Sequence, residues 1–257
     1  MAYDYEYFIK EVEKLTKIDL SAYKQNQMKR RIDALIAKHK INGYEAYIKT
    51  LKTDQEKYDE FVDYITINVS EFYRNPDQWK YLTEKVFPEL IKDFGQNLKI
   101  WSAACSTGDE PYSLVMALSE FVPLDKIKIM ATDINEQIIE KAKIGLYSEK
   151  SIASVPEKYK KEYFTQNGKF FQISDKIKKC VTFKEHNLLK DPYPKDMHLI
   201  VCRNVLIYFT EEAKDEVFQK YYNSLAENGV LFIGSTEQIM RYKEMGYKRM
   251  DSFFYQK

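Results

Sequence analysis

What this sequence lacks narrows its chemistry. Only eight of 257 residues are glycine, which excludes long flexible linkers and low-complexity tracts. There are three cysteines, Cys105, Cys180 and Cys202. They have no CxxC spacing and read as reduced thiols of a cytoplasmic protein. His39, His186 and His198 have no partner at metal-ligand spacing, so no metal site is expected. The longest apolar runs, 199–202 and 205–209, are split by Arg203 and Asn204 and are too short to cross a bilayer. The opening MAYDYEYFIKEVEK places acids where an export signal needs a basic and then an apolar run. Forty basic against 39 acidic residues leave a charge of +1, so nothing marks the whole chain for nucleic acid, and any electrostatic recognition must be local. Neither GxGxxG nor GxxxxGK[ST] occurs, which removes the nicotinamide fingerprint and the phosphate-cradling loop.

What is present is organised around residues 99–113, KIWSAACSTGDEPYS. An apolar run (Leu98, Ile100, Trp101) fits a buried strand, and small residues from Ala103 to Gly108 follow it. Asp109, Glu110 and Pro111 suit the first turn of a helix built on Leu114, Val115, Leu118 and Phe121. A strand, a small-residue turn and a helix let a bulky adenosyl ligand approach backbone. Two carboxylates at such a turn repel a pyrophosphate but suit a sulfonium or an ammonium. An ordinary strand-to-helix turn with an acidic first turn is the plainer reading.

Residues 1–67 read as an all-helical domain. Helices are expected over 5–15 and 21–40, the second with Met28, Ile32, Leu35 and Ile36 on one face. Two more are expected around Tyr44, Ile48 and Leu51 and around Tyr58, Phe61, Val62 and Ile65. The second helix carries Lys24, Lys29, Arg30, Arg31, Lys38 and Lys40 against one acid, Asp33. That is either a solvated face or a docking face for an acidic partner. Residues 68–97 form a linker and a helix over 77–94. In NVSEFYRNP, Asn68, Ser70 and Arg74 stand among Val69, Phe72 and Tyr73, which suits a segment pressed on a ligand or a domain-joining strut. From 98 to 257, strands expected at 127–132, 181–185, 197–202 and 230–233 alternate with helices at 137–143 and 211–225. That alternation gives an α/β, Rossmann-like, mostly parallel sheet. It lapses at 148–180, where a small antiparallel insert is expected, and 247–255 reads as strand or hairpin.

In an open parallel sheet, ligands sit beyond the carboxyl ends of the strands. Residues 106–110, Asp133, Asn187, and Arg203 with Asn204 all fall there. NVSEFYR, AACSTGDEPYS, ATDIN, NLL and CRNVLIYF, in this order and over nearly the whole chain, resemble the chemotaxis-receptor glutamate methyltransferases of the CheR family. The resemblance implies a class I methyltransferase sheet behind an all-α domain. It also implies transfer of a methyl group from S-adenosylmethionine (SAM), leaving S-adenosylhomocysteine, to glutamate side chains of methyl-accepting chemotaxis receptors as γ-glutamyl methyl esters. By motif it carries Asn68, Ser70, Arg74, Glu110, Asp133, Asn187, Leu188, Arg203 and Asn204 to the cofactor site and places Arg74 and Tyr208 near the transferring methyl. Ser70 stands where Thr is commoner, and Asp109 replaces a frequent Glu.

A glutamate is already anionic near neutral pH, so the transfer needs alignment and water exclusion but no general base. That accounts for the missing His or Cys constellation. The expected partner is a receptor cytoplasmic domain, docked through Lys24, Lys29, Arg30, Arg31 and Lys38, with the protein acting as a monomer without nucleic acid or membrane insertion. Other readings are a methyltransferase of another protein or a small molecule, a silent SAM-binding adaptor, and an RNA methyltransferase, the last resting on the basic helix alone.

Overall fold

The computed structural model describes residues 4–257. They form two compact units, one of residues up to 68 with 208–216, the other of residues 69–207 with 217–257.

The first unit is a bundle of α1 (Tyr5–Thr16), α2 (Gln25–Lys38), α3 (Tyr44–Thr53) and α4 (Gln55–Thr66). The i, i+4, i+7, i+8 spacing expected for α2 buries Met28, Ile32, Leu35 and Ile36. The chain enters α2 later than expected, through a 3-10 turn at Leu20–Ala22 held by Asp19. Phe8, Tyr47 and Phe61 are fully buried, and Phe8 meets Phe61 edge to face at 6.2 Å. Asp4 and Asp54 cap α1 and α4 through the backbone N–H groups of Tyr7 and Lys57.

The second unit opens with α5 (Pro76–Tyr81), a π-helical turn at Leu82–Val86 and α6 (Phe87–Phe94), the helix expected at 77–94 with one wider turn inside it. Then follow β1 (Ile100–Ser102), α7 (Asp109–Leu118), β2 (Ile129–Asp133) and α8 (Glu136–Ile144). An insert holds β3 (Leu146–Ser148), α9 (Glu157–Tyr163), β4 (Phe164–Asn167), β5 (Phe170–Ile173) and α10 (Asp175–Lys178). The chain closes with β6 (Val181–Glu185), β7 (Met197–Cys202), α11 (Glu211–Ser224), β8 (Leu225–Ile233), β9 (Lys248–Asp251) and β10 (Phe254–Gln256). α11 starts among residues of the first unit and ends among those of the second.

The main sheet has the order β6-β2-β1-β7-β8-β10-β9. Its first five strands run parallel, and β10 runs antiparallel to both of its neighbours, β8 and β9, so the fold is the expected Rossmann-like architecture. From β1 the chain moves outward to β2 and β6 and then returns to β7 on the other side of β1. That makes the carboxyl end of β1 the switch point where such sheets bind ligands. The insert is a separate antiparallel sheet, β3-β5-β4.

Two expectations shift. α7 is buried at all ten positions, so it is a central helix and not an amphipathic one, and Phe121 lies past its end. β8 starts at Leu225 and runs through the Asn228-Gly229 pair expected to precede it. Asn228 takes a left-handed φ of 65° there, and the register against β7 slips between Met197 and Leu199.

Candidate active site

The loop from β1 to α7 packs tightly at its last residue. Gly108 has φ 88°, and a Cβ there would lie 3.0 Å from both Ala142 Cβ and Tyr112 Cε2. Only glycine adopts that backbone without strain. Ser106, also left-handed at φ 46°, donates its N–H to Asp133 Oδ2 at 2.9 Å, and Asn135 N–H reaches Asp133 Oδ1 at 3.1 Å. Thus the acid at the end of β2 ties two strand-end loops together while being 8% exposed. Burial pushes its carboxyl up from the ordinary value, against the pull of these N–H bonds.

Glu110, in the first turn of α7, is likewise buried, and burial outweighs Arg203 in pushing its carboxyl up. It accepts from Ser102 Oγ at 2.8 Å, and its Oε2 lies 3.7 Å from Arg203 Nη1. Arg203 follows β7 and is buried too. Its Nη2 donates to the Arg74 carbonyl at 2.5 Å, to Gln78 Oε1 at 2.8 Å and to Asn75 Oδ1 at 3.2 Å. Its guanidinium carbon stands 4.7 Å from the Phe232 ring centroid. Burial first, and the Arg74 charge after it, lower the Arg203 pKa, while Glu110 opposes them. Both members of this pair are held where their charged forms are disfavoured, as functional sites often require.

The segment before α5 is tied to the same edge. Arg74 is half-buried between two left-handed residues, Tyr73 at φ 51° and Asn75 at φ 61°. Its carbonyl accepts from Arg203 and from Trp79 Nε1 at 3.0 Å. Burial pushes the Asp109 carboxyl up, with the Ser70 hydroxyl among the groups opposing it, and Tyr73 N–H donates to Ser113 Oγ at 3.2 Å. After β6, Asn187 Oδ1 accepts from Leu189 N–H at 2.9 Å, and the Leu188 carbonyl accepts from Tyr193 Oη at 2.8 Å.

One residue escaped the sequence reading. Glu237, four residues past β8, is 4% exposed. Its Oε2 accepts from Asn204 N–H (2.9 Å) and Gly234 N–H (2.8 Å), its Oε1 from Val205 N–H (3.1 Å) and Leu206 N–H (2.8 Å). A lone glutamate in GSTEQ has no spacing that advertises it, since three of its four partners are backbone groups some 30 positions away.

Three buried polar atoms here have no protein partner: Ser106 Oγ, Arg203 Nε and Asn204 Oδ1. They follow β1 and β7, the two strands that meet at the switch point. Cys105 also lies in this loop, but it is fully buried and burial drives its thiol well up, so it is no nucleophile.

Asn68 and Tyr208 belong to the first unit. Asn68 Nδ2 donates to Thr66 Oγ1 at 3.0 Å. Tyr208 accepts Lys24 N–H on its carbonyl at 2.9 Å and lines a small crevice with Lys24, Gln27 and Arg31. The basic residues of α2 do not share one face. At about 100° per residue, Lys24, Arg31 and Lys38 flank the buried stripe on one side, Lys29 lies on the other, and Arg30 points directly away from it. Lys29 is paired with Asp33 at 2.8 Å and Lys38 with Glu60 at 2.5 Å. Arg31 donates to the Tyr64 carbonyl and lies 4.4 Å from that ring's centroid. The single basic face expected from sequence is therefore split, and part of its charge is already matched.

Residues 68–252 match the family model described as CheR methyltransferase, SAM binding domain, and residues 3–66 match CheR methyltransferase, all-alpha domain. The chain belongs to the CheR methyltransferase family. A chemotaxis protein methyltransferase of Listeria monocytogenes is 43% identical over 252 residues, covering 98% of this chain and 96% of that one. One of Borreliella burgdorferi is 33% identical over 243 residues, covering 90% and 86%. Among solved structures, a TehB-like SAM-dependent methyltransferase from Corynebacterium glutamicum is 15% identical, with a TM-score of 0.39 over 70% of this chain and 92% of that one. A likeness that distant carries no argument. As a CheR-family member the chain is a SAM-dependent methyltransferase, and the strand-end site lies wholly within its SAM-binding domain. No helix among the described residues is long and apolar enough to cross a membrane.

Proposed function

We propose that this CheR-family chain methylates glutamate side-chain carboxylates of methyl-accepting chemotaxis receptors, forming γ-glutamyl methyl esters. The observation that carries the reading is family membership over both domains, with relatives called chemotaxis protein methyltransferases.

The residues at the strand ends suit SAM. Its carboxylate, ammonium, ribose hydroxyls and sulfonium need donors, acceptors and anions in one place. Arg203 Nε and Ser106 Oγ are unpaired donors, Asn204 Oδ1 is an unpaired acceptor, and Glu110 and Asp133 are buried acids. In this reading Asp133 holds the ribose, while Asn187 and Leu188 flank the base. Glu110, Arg203 and Asn204 hold the amino-acid end, with Ser70 and Arg74 on the segment tied to the same edge, and the family resemblance adds Asn68 to the set. Bound there, SAM supplies an activated methyl group on a positive sulfur.

The chain's own task is then to position and desolvate. Arg74 offers a guanidinium that orients an incoming carboxylate, and the family resemblance assigns the Tyr208 hydroxyl to the transfer step. No side chain need take a proton, because the attacking carboxylate carries none at neutral pH. Lys24 and Arg30, exposed on the first unit, contribute most of the unmatched attraction to an acidic receptor surface, with Lys29, Arg31 and Lys38 adding less because their charge is shared.

The test is incubation with methyl-labelled SAM and a receptor cytoplasmic domain. Base-labile label on the receptor is expected. Label on another protein or on RNA, or SAM binding without transfer, would replace this reading.

A further inference from the structure

We propose that Glu237 is a positioning residue of the SAM site: its carboxylate clamps the loop after β7, so that Arg203 and Asn204 present their free polar atoms to the cofactor. The proposal rests on the assignment of those two residues to SAM, and the test separates the two claims.

The geometry is that of a saturated acceptor. A carboxylate offers about four lone-pair directions, and here four backbone N–H groups use them, two on each oxygen. Three of these donors are consecutive, Asn204 to Leu206, so the bonds fix the path of one turn of chain and not a single point. The fourth, Gly234, lies at the end of β8, so the clamp ties the β7 loop to the neighbouring strand. Asn204 is held at a left-handed φ of 61°, a conformation that asparagine tolerates but that still costs energy. Its neighbour Arg203 sends its guanidinium toward Glu110 and the Arg74 carbonyl.

The site has no spare room. A Cβ on Gly234 would stand 2.7 Å from both Asn204 N and Glu237 Oε2. Burial pushes the Glu237 carboxyl up while the four N–H groups pull it down, and the ionised form is the one whose two oxygens can each accept twice. An amide at the same place would aim its own N–H groups at two backbone donors. A buried charge is costly to keep, and here four backbone N–H groups offset that cost.

Three variants and two readouts decide the matter. Glu237→Gln is expected to raise the dissociation constant for S-adenosylhomocysteine, measured by calorimetry, and the KM for SAM by at least tenfold. The kcat at saturating SAM should change less than threefold, because the clamp orders the site before binding and touches no reacting atom. Gly234→Ala, which leaves the acid intact and displaces the loop, should give the same KM-dominated signature. Glu237→Asp keeps the charge but is one methylene shorter, and should recover part of the affinity. It serves as the main variant if Glu237→Gln does not fold.

Asn204→Ala is measured in parallel. If it weakens binding while folded Glu237→Gln and Gly234→Ala bind within twofold of wild type, the clamp is refuted and the site assignment stands. If Asn204→Ala also binds normally, the assignment itself is refuted. A loss in kcat with unchanged KM would likewise overturn a positioning role.

Discussion

The buried pair of Arg203 and Glu110 is the feature whose energetics can be worked through most fully. At 3.7 Å, unit charges attract by about 4 kcal/mol at an effective dielectric near 20. Removing water from both opposes that gain. Here the opposition wins on each side, since burial is the largest influence on both groups and disfavours both charged forms. Arg203→Met would strip Gln78 Oε1 and the Arg74 carbonyl of a donor and leave Glu110 buried without a counter-charge. The cost of breaking such a pair is about 3–5 kcal/mol, a large part of the roughly 5–15 kcal/mol that holds a domain together.

Glu110→Gln keeps the acceptor for Ser102 while removing the charge. Combined with Arg203→Met it should recover about 2–3 kcal/mol of that cost, leaving the double variant more stable than the Arg203 variant alone. The pH dependence follows from the sign of the Glu110 shift. Its folded pKa is raised above the ordinary 4.5, so its contribution is fully present below that value and is lost as pH rises through the folded pKa. Without Arg203 to oppose it the upward shift grows, and the gap between Arg203→Met and wild type should widen from acid toward neutral pH.

The assay is urea unfolding followed by tryptophan fluorescence. Both tryptophans, Trp79 and Trp101, lie in the second unit, so the signal reports that unit. A loss below about 1 kcal/mol for Arg203→Met at neutral pH, or a double variant no more stable than the single one, would refute the reasoning.

Three further outcomes are expected. Asp133→Ala should weaken S-adenosylhomocysteine binding by at least about 100-fold in calorimetry, from two lost charge-assisted bonds to ribose, and should lower the unfolding midpoint because Ser106 and Asn135 lose their acceptor. An unchanged dissociation constant in folded protein removes it from the site. Tyr208→Phe should lower kcat with cofactor affinity near wild type, and Arg74→Ala should lower kcat further; steady-state kinetics with unchanged kcat for both would dismiss them from the mechanism. Lys24→Glu with Arg30→Glu should raise the KM for receptor by on the order of tenfold and flatten its salt dependence. Lys29→Glu, whose charge is shared with Asp33, should do much less; equal effects of the two changes would mean that receptor docks elsewhere.

The strand ends were legible in sequence because each couples an apolar run to an abrupt polar change. Residues 98–108, 127–133 and 197–204 all read that way; β7 starts and stops where expected, while β2 starts two residues late, at Ile129. Asp133 and Arg203 could be located but their partners could not. That Asp133 would fasten two loops, or that Arg203 would spend donors on the Arg74 carbonyl, depends on chain reversals at Tyr73, Asn75, Ser106 and Asn204, none of them glycine. The single basic face of α2 misled for a related reason. Counting charges along a helix registers Asp33 but not its pairing with Lys29, and it ignores Glu60 and the Tyr64 carbonyl, which come from α4. Glu237 was invisible because backbone N–H groups carry no sequence signature.

The place of β10 in the sheet bears on how the second unit folds. Phe254 is fully buried and stacks on Phe232 at 4.3 Å between centroids, and β10 separates β8 from β9. Until residues 254–256 are available, β8 is an unpaired edge carrying a row of free backbone groups beside exposed aromatics, the kind of surface on which nascent chains stick to one another. The sheet of the second unit is therefore incomplete until residues 254–256 have joined it. A chain cut just before Phe254 should be recovered as aggregate even though every residue of the candidate site is still in it.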